Sequence, residues 1–175
     1  MFNFRPLDIS DMPQMYIWHN TDFVNKWWRF VDYSTLEKVT NQYEARITND
    51  VEHNYIIVLN DMDIGYIQTC LACSYPPYRE HINSSDLDNS SCVDIFIGHK
   101  DYIYKGYGAV IIREFLKDYV FNNSQVDKCI IGPEPQNFSS IKMAEKVGFE
   151  WYKTVQFDDG KEEYLMMLLK NDFKY

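Results

Sequence analysis

Two hydrophobic periods alternate along the chain, and the points where one gives way to the other mark out its elements. Phe2 to Leu7 repeats apolar and polar residues at every second position and reads as a first strand. Ser10 is placed to cap a helix running to about His19, and Thr21–Arg29, with Trp27 and Trp28, reads as a short helix or its exit. Ser34-Thr35-Leu36-Glu37 has the form of a capping box, which predicts a helix to about Thr48. Asn54–Asn60 and Ile64–Ser74 are two strands joined by a turn at Asp61-Met62-Asp63. Tyr75–Ser91 shows neither period; it carries Pro76-Pro77 and two Asn-Ser-Ser runs and predicts a loop of about 17 residues, a length that in a compact domain points to function or disorder.

In the second half Cys92–Gly98 is a strand and Gly106–Phe121 a helix with apolar residues at 110, 111, 112, 115, 116, 119 and 120. Val126–Ile131 is a strand, and Asn137 or Ser139 caps a helix that stops at Gly148. Trp151–Phe157 and Glu163–Leu169 form a hairpin about Asp158-Asp159-Gly160. Helices alternating with strands, together with hairpins, imply an α/β domain in which helices cover a mixed sheet. The 175 residues fit one such domain, spanning 1–175.

Composition narrows the partners. The net charge is −9 and no Lys/Arg-rich run exists, which argues against nucleic acid and favours cationic ligands. Cys70 and Cys73 form a lone CxxC with no second pair or matching histidines, so no metal is expected; all four cysteines read as small buried hydrophobes. His19, His53, His81 and His99 are dispersed and read as surface or capping residues. The first residues lack the pattern of a signal peptide, and no apolar run approaches the ~20 residues a membrane span needs. The expected location is the cytoplasm, as a monomer or homodimer.

Two features carry chemistry. The Lys105-Gly106-Tyr107-Gly108-Ala109 turn opens a helix, and a helix N-terminus offers unpaired amides and a positive dipole end to a phosphate. It is neither a P-loop, whose lysine and hydroxyl are missing, nor a Rossmann turn, because Ile111 stands at the third glycine. A turn with no ligand would have the same glycines. The second feature is Asp94, a carboxylate inside the apolar strand just before that turn. It reads either as a solvent-facing residue of an alternating strand or as a site residue.

Asp94–Leu116 resembles motif A of the GNAT acetyltransferases, and Pro133–Asn137 with Ile141–Phe149 resembles their motif B. Ile103 replaces the usual Arg or Gln, while Gly106 and Gly108 match. Trp18-His19-Asn20, Trp27-Trp28, Ile64–Gln68, Val93–Gly98 and Asp158–Gly160 extend the similarity, in order, to the aminoglycoside 6′-N-acetyltransferases. The resemblance implies the GNAT fold: a mixed, mostly antiparallel central sheet of about seven strands flanked by helices. It implies acetyl-CoA as cosubstrate, held by Lys105, Gly106, Tyr107, Gly108 and Ala109, by the strand at Phe96 and Ile97, and by Asn137 on the pantetheine arm.

It further implies direct acetyl transfer to the 6′-amine of an aminoglycoside, with Asp94 as general base. A polycation wants carboxylates and aromatic walls, which makes Trp28, Tyr66, Gln68, Asp86, Asp94 and Glu134 the acceptor candidates, Asp86 beside Glu80 and Asp88 in the predicted loop. Two family residues are replaced: Ala144 stands for a tyrosine thought to protonate the leaving sulfur, and Gly132 for an aspartate before the motif B proline. An enzyme acting on another small amine or a protein N-terminus, or an acyl-CoA binding module that has lost catalysis, would keep the same fold.

Overall fold

The structure is a computed structural model and describes residues 1–28, 31–49 and 51–174. The seven strands are β1 (Phe2–Pro6), β2 (Glu52–Leu59), β3 (Met62–Leu71), β4 (Ser90–Ile97), β5 (Lys128–Ile131), β6 (Glu150–Gln156) and β7 (Glu162–Leu169). They form one mixed sheet in the order β1-β2-β3-β4-β5-β7-β6. The helices are α1 (Met12–His19), α2 (Asp22–Asn25), α3 (Leu36–Ile47), α4 (Pro76–His81), α5 (Ser84–Leu87), α6 (Tyr107–Phe115) and α7 (Phe138–Val147). Among the described residues no helix is long and apolar enough to cross a membrane. Contacts divide the chain into two compact units, residues 1–68 with 95–105 and residues 69–94 with 106–175.

In the first unit β1 pairs antiparallel with β2, from Phe2 opposite Leu59 to Pro6 opposite Tyr55. Asp8, rather than Ser10, caps the entry to α1: its carboxylate accepts from the Ser10 amide at 2.9 Å in a 3-10 turn that precedes the helix. Thr35, rather than Ser34, caps α3 by accepting from the Lys38 amide at 3.3 Å. The short helix expected over Thr21–Arg29 is α2, and Arg29 lies outside the described residues. Met12, Met15 and Trp18 of α1, Val39 and Tyr43 of α3, and Ile56, Tyr66 and Phe96 of the strands form its core.

In the second unit β4 runs parallel to β5 over Ser90–Cys92, and β7 lies antiparallel to both β5 and β6. The segment 75–91 is not a loop. It folds into α4 and α5, and Ser90 and Ser91 already belong to β4. Pro76 occupies the first turn of α4, where a missing amide costs nothing. Burial of Tyr78, Ile82 and Leu87 then anchors the segment against Val155, Phe157 and Leu165. The helix expected over 106–121 changes at Leu116 into a π-helical turn through Val120.

Candidate functional site

β4 carries the first candidate. Its pairing with β5 ends at Cys92 opposite Ile130, and the strand continues five residues farther, through Asp94 to Ile97. Asp94 is half-buried and stands at the point of parting. Its negative charge acts on Tyr75, Tyr78, Lys161 and Glu163.

Those four residues form a cluster that sequence reasoning missed. Glu163, on β7, is 3% exposed; its Oε1 lies 2.5 Å from Lys161 Nζ and its Oε2 accepts from the Tyr78 hydroxyl at 3.0 Å. Burial pushes the Glu163 carboxyl above the usual carboxylate range, against the pull of the Lys161 ammonium. Burial also disfavours the Lys161 charge, but Glu163 and Asp94 outweigh it and hold that ammonium above an ordinary lysine. The signal was present: Glu163 is a charged residue at an inward position of an apolar strand, the criterion that singled out Asp94.

Gly132 belongs to this cluster by default of a side chain. A methyl group there would overlap Glu163 Oε2 and come within 2.9 Å of the Tyr78 hydroxyl. Glu134, two residues on, is buried rather than solvent-facing. Its carbonyl accepts from the Asn137 amide at 2.8 Å, which closes the Pro133–Asn137 turn. The Asn137 side chain then caps α7 by accepting from the Ser140 amide at 3.3 Å.

The glycine turn before α6 is the second candidate. Gly106 is the N-cap in the left-handed region, with φ +80, and no atom lies within 4 Å of where its Cβ would be. Lys105 is exposed and Tyr107 half-buried, while Ala109 is buried. The first-turn amides of α6 have no carbonyl four residues back to bond within the helix, and a helix N-terminus favours an anion. Gly108 also packs between helices: a Cβ there would meet Met143 Sδ of α7 at 2.6 Å.

The remaining candidates are held in packing of their own. Phe96 lies in the first unit's core, with ring centroids 6.1 Å from Trp18 and 5.5 Å from Tyr66. Ile97 is half-buried. Trp28 is partly exposed and meets Phe96 edge-on at 5.1 Å. Tyr66 is enclosed, 0% exposed, so its ring packs the core instead of facing an acceptor. Its hydroxyl lies 2.5 Å from Asn54 Oδ1 and 2.6 Å from Gln68 Oε1 and has one proton for the two, while Arg46 donates to the same Gln68 oxygen. Asp86, in α5, accepts from the Tyr152 hydroxyl at 2.6 Å, while Glu80 and Asp88 are exposed on the surface. Burial and Asp86 together push the Tyr152 phenol up to about 12.

Two expectations about residue classes fail. His19 is buried in the first unit, with its ring stacked 3.7 Å from Tyr33 and Nε2 2.7 Å from the Tyr43 hydroxyl. Of the four free cysteines, Cys73 is exposed and Cys70 half-buried, so only Cys92 and Cys129 behave as buried hydrophobes. Ala144, at the position of the family tyrosine, is buried in α7 and offers no acid.

The family described as acetyltransferase (GNAT) domain matches residues 8–157. The aminoglycoside N(6′)-acetyltransferase type 1 of Klebsiella pneumoniae is 29% identical over 165 residues, which is 93% of this chain and 80% of that protein. A kanamycin resistance protein of Rhizobium radiobacter is 32% identical over 74 residues, 42% of this chain and 68% of that one. The crystal structure of aminoglycoside acetyltransferase AAC(6′)-Ib in complex with coenzyme A and kanamycin superposes with a TM-score of 0.86 at 26% identity, covering 98% of this chain and 96% of that one.

Proposed function

The chain belongs to the GNAT acetyltransferases, and from that premise we propose that it transfers the acetyl group of acetyl-CoA to the 6′-amine of an aminoglycoside. The relatives named for that activity, and the solved relative that holds coenzyme A with kanamycin, support the substrate class. The net charge of −9 suits a polycationic acceptor.

The observation that carries the mechanism is Asp94, a half-buried carboxylate where β4 parts from β5. An amine attacks a thioester only when neutral, yet near pH 7 it is mostly protonated. Asp94 accepts that proton, directly or through water, as the nitrogen adds to the carbonyl carbon. The backbone of β4 between Asp94 and Ile97 supplies a donor to the developing oxyanion. The carbon–sulfur bond then breaks and coenzyme A leaves as a thiolate; a thiol is acidic enough to depart without the tyrosine that Ala144 replaces. The first-turn amides of α6, at Tyr107, Gly108 and Ala109, hold the diphosphate after the left-handed Gly106, and the Lys105 ammonium adds charge. Asn137 stays as the pantetheine contact through the part of its amide that does not cap α7.

The test is release of free thiol from acetyl-CoA with kanamycin as acceptor. Turnover that requires the antibiotic, with acetylation mapped to the 6′-nitrogen by mass spectrometry and NMR, is the expected result. Thiol release with other amines and none with kanamycin would overturn the substrate assignment.

A further inference from the structure

The Glu163 carboxylate occupies the volume into which a side chain at position 132 would project. It reaches that volume from β7, whereas residue 132 follows β5. The same carboxylate is 3% exposed and yet ionically paired, and its partner Lys161 is the more exposed of the two, at 26% of its side chain against 4%. A buried carboxylate costs free energy unless a cation and hydrogen bonds compensate it, and here one lysine and one tyrosine do so.

Lys161 sits at the end of the Asp158–Gly160 turn, where its backbone carbonyl accepts from the Phe157 amide at 2.8 Å. A lysine is a flexible stem with a compact charge, so it can swing away without unfolding the strand that bears Glu163. Asp94 and Glu163 carry two negative charges and Lys161 one positive. The cluster's net charge is therefore −1 with Lys161 in place and −2 without it.

We propose that Glu163 is a second carboxylate of the acceptor site, and that the Lys161 ammonium keeps its place in the acceptor-free protein until an acceptor ammonium displaces it. The inference rests on the aminoglycoside reading above. It adds a residue that determines specificity: the site selects acceptors with at least two ammonium groups, one beside Asp94 and one on Glu163. Lys161 acts as a tethered competitor, which lowers affinity for every acceptor and excludes those too weakly charged to displace it.

The test compares wild type, Lys161→Ala, Glu163→Gln, Glu163→Ala and the double variant Gly132→Asp/Glu163→Ala, with kanamycin as acceptor and acetyl-CoA as donor. Removing the competitor in Lys161→Ala lowers the KM for kanamycin severalfold with kcat little changed. Glu163→Gln keeps the shape and the tyrosine bond but raises that KM by about tenfold or more, the weight of a charge-assisted contact. Its KM for acetyl-CoA stays at the wild-type value, and its kanamycin KM depends less on salt. Glu163→Ala is as impaired, and Gly132→Asp in that background restores a carboxylate to the same volume and recovers affinity. A merely structural Glu163 would shift both KM values or the melting temperature, and would show neither the salt effect nor the rescue. Wild-type turnover of kanamycin with an unchanged KM in Glu163→Gln overturns this inference alone. A wild type that turns over no aminoglycoside overturns the parent reading, and this one with it.

Discussion

Gly108 of α6 faces Met143 of α7, and a Cβ on the glycine would stand 2.6 Å from the methionine sulfur. The second glycine of the turn therefore also packs between two helices, while Gly106 is dictated by backbone conformation. Gly108→Ala gains some helix propensity but overpacks this contact, a cost of roughly 1–3 kcal/mol in well-packed sites. The expected net loss is about 1 kcal/mol in chemical denaturation, relieved when Met143→Ala is added. Isothermal titration with coenzyme A checks the division of roles: affinity that collapses in Gly108→Ala while stability holds would return this glycine to the phosphate.

Asp94→Asn removes the proposed proton acceptor and leaves its volume. General-base contributions run to roughly 10²–10⁴ in rate, so kcat/KM for kanamycin is expected to fall by about that factor. The KM for acetyl-CoA should stay close to wild type, because the carboxylate meets the amine and not the nucleotide. Steady-state thiol release at saturating acetyl-CoA is the measurement, and a variant with wild-type kcat would remove Asp94 from the chemistry.

Cys92 lies two residues before Asp94, with its Sγ 2.9 Å from that of Cys70. The bond from Cys70 and burial both push the Cys92 thiol up, so it is not a thiolate near pH 7 and is a poor nucleophile. That favours the proposed direct transfer, without an acetylated enzyme, in a ternary complex. Cys92→Ser is expected to keep kcat within a few-fold of wild type, and initial-rate plots should intersect instead of running parallel. Alkylation of the native protein by iodoacetamide, read by peptide mass spectrometry, should mark the exposed Cys73 first.

Much of this was legible where short-range rules govern. The Asn137 cap and the left-handed Gly148 that ends α7 follow from local backbone chemistry, and both stand as expected. So does Gly106 at the start of α6. Asp94 stood out because a carboxylate in an apolar strand has no local reason to be there. The segment 75–91 was misread because Pro76-Pro77 signals a break in most contexts, and only burial of Tyr78 and Leu87 makes short helices worthwhile. Glu163 and Lys161 were missed because their pairing depends on Tyr78 and Gly132, residues 85 and 31 positions from Glu163 in sequence. Tyr66 was misjudged because a tyrosine facing a pocket and one bonded to Asn54 look alike in a strand.

His19 makes stability depend on pH. Burial and then the charge of Arg46 lower its pKa to about 3, against 6.5 in the unfolded chain. Above 6.5 both states are neutral and the packing of the ring between Tyr33 and Tyr43 stands at full value. Between 6.5 and about 3 the unfolded chain binds a proton that the folded one does not, so stability falls as pH falls. The slope from this residue is about 1.4 kcal/mol per pH unit, or roughly 2 kcal/mol between pH 6.5 and 5. Urea denaturation of wild type and His19→Gln at pH 7.5 and pH 5 isolates it, since glutamine keeps a polar partner for Tyr43 and does not titrate. The wild type starts more stable, and its advantage should shrink by about that amount at pH 5. An advantage that is the same at both pH values would mean the imidazole titrates normally, and its burial would have to be reconsidered.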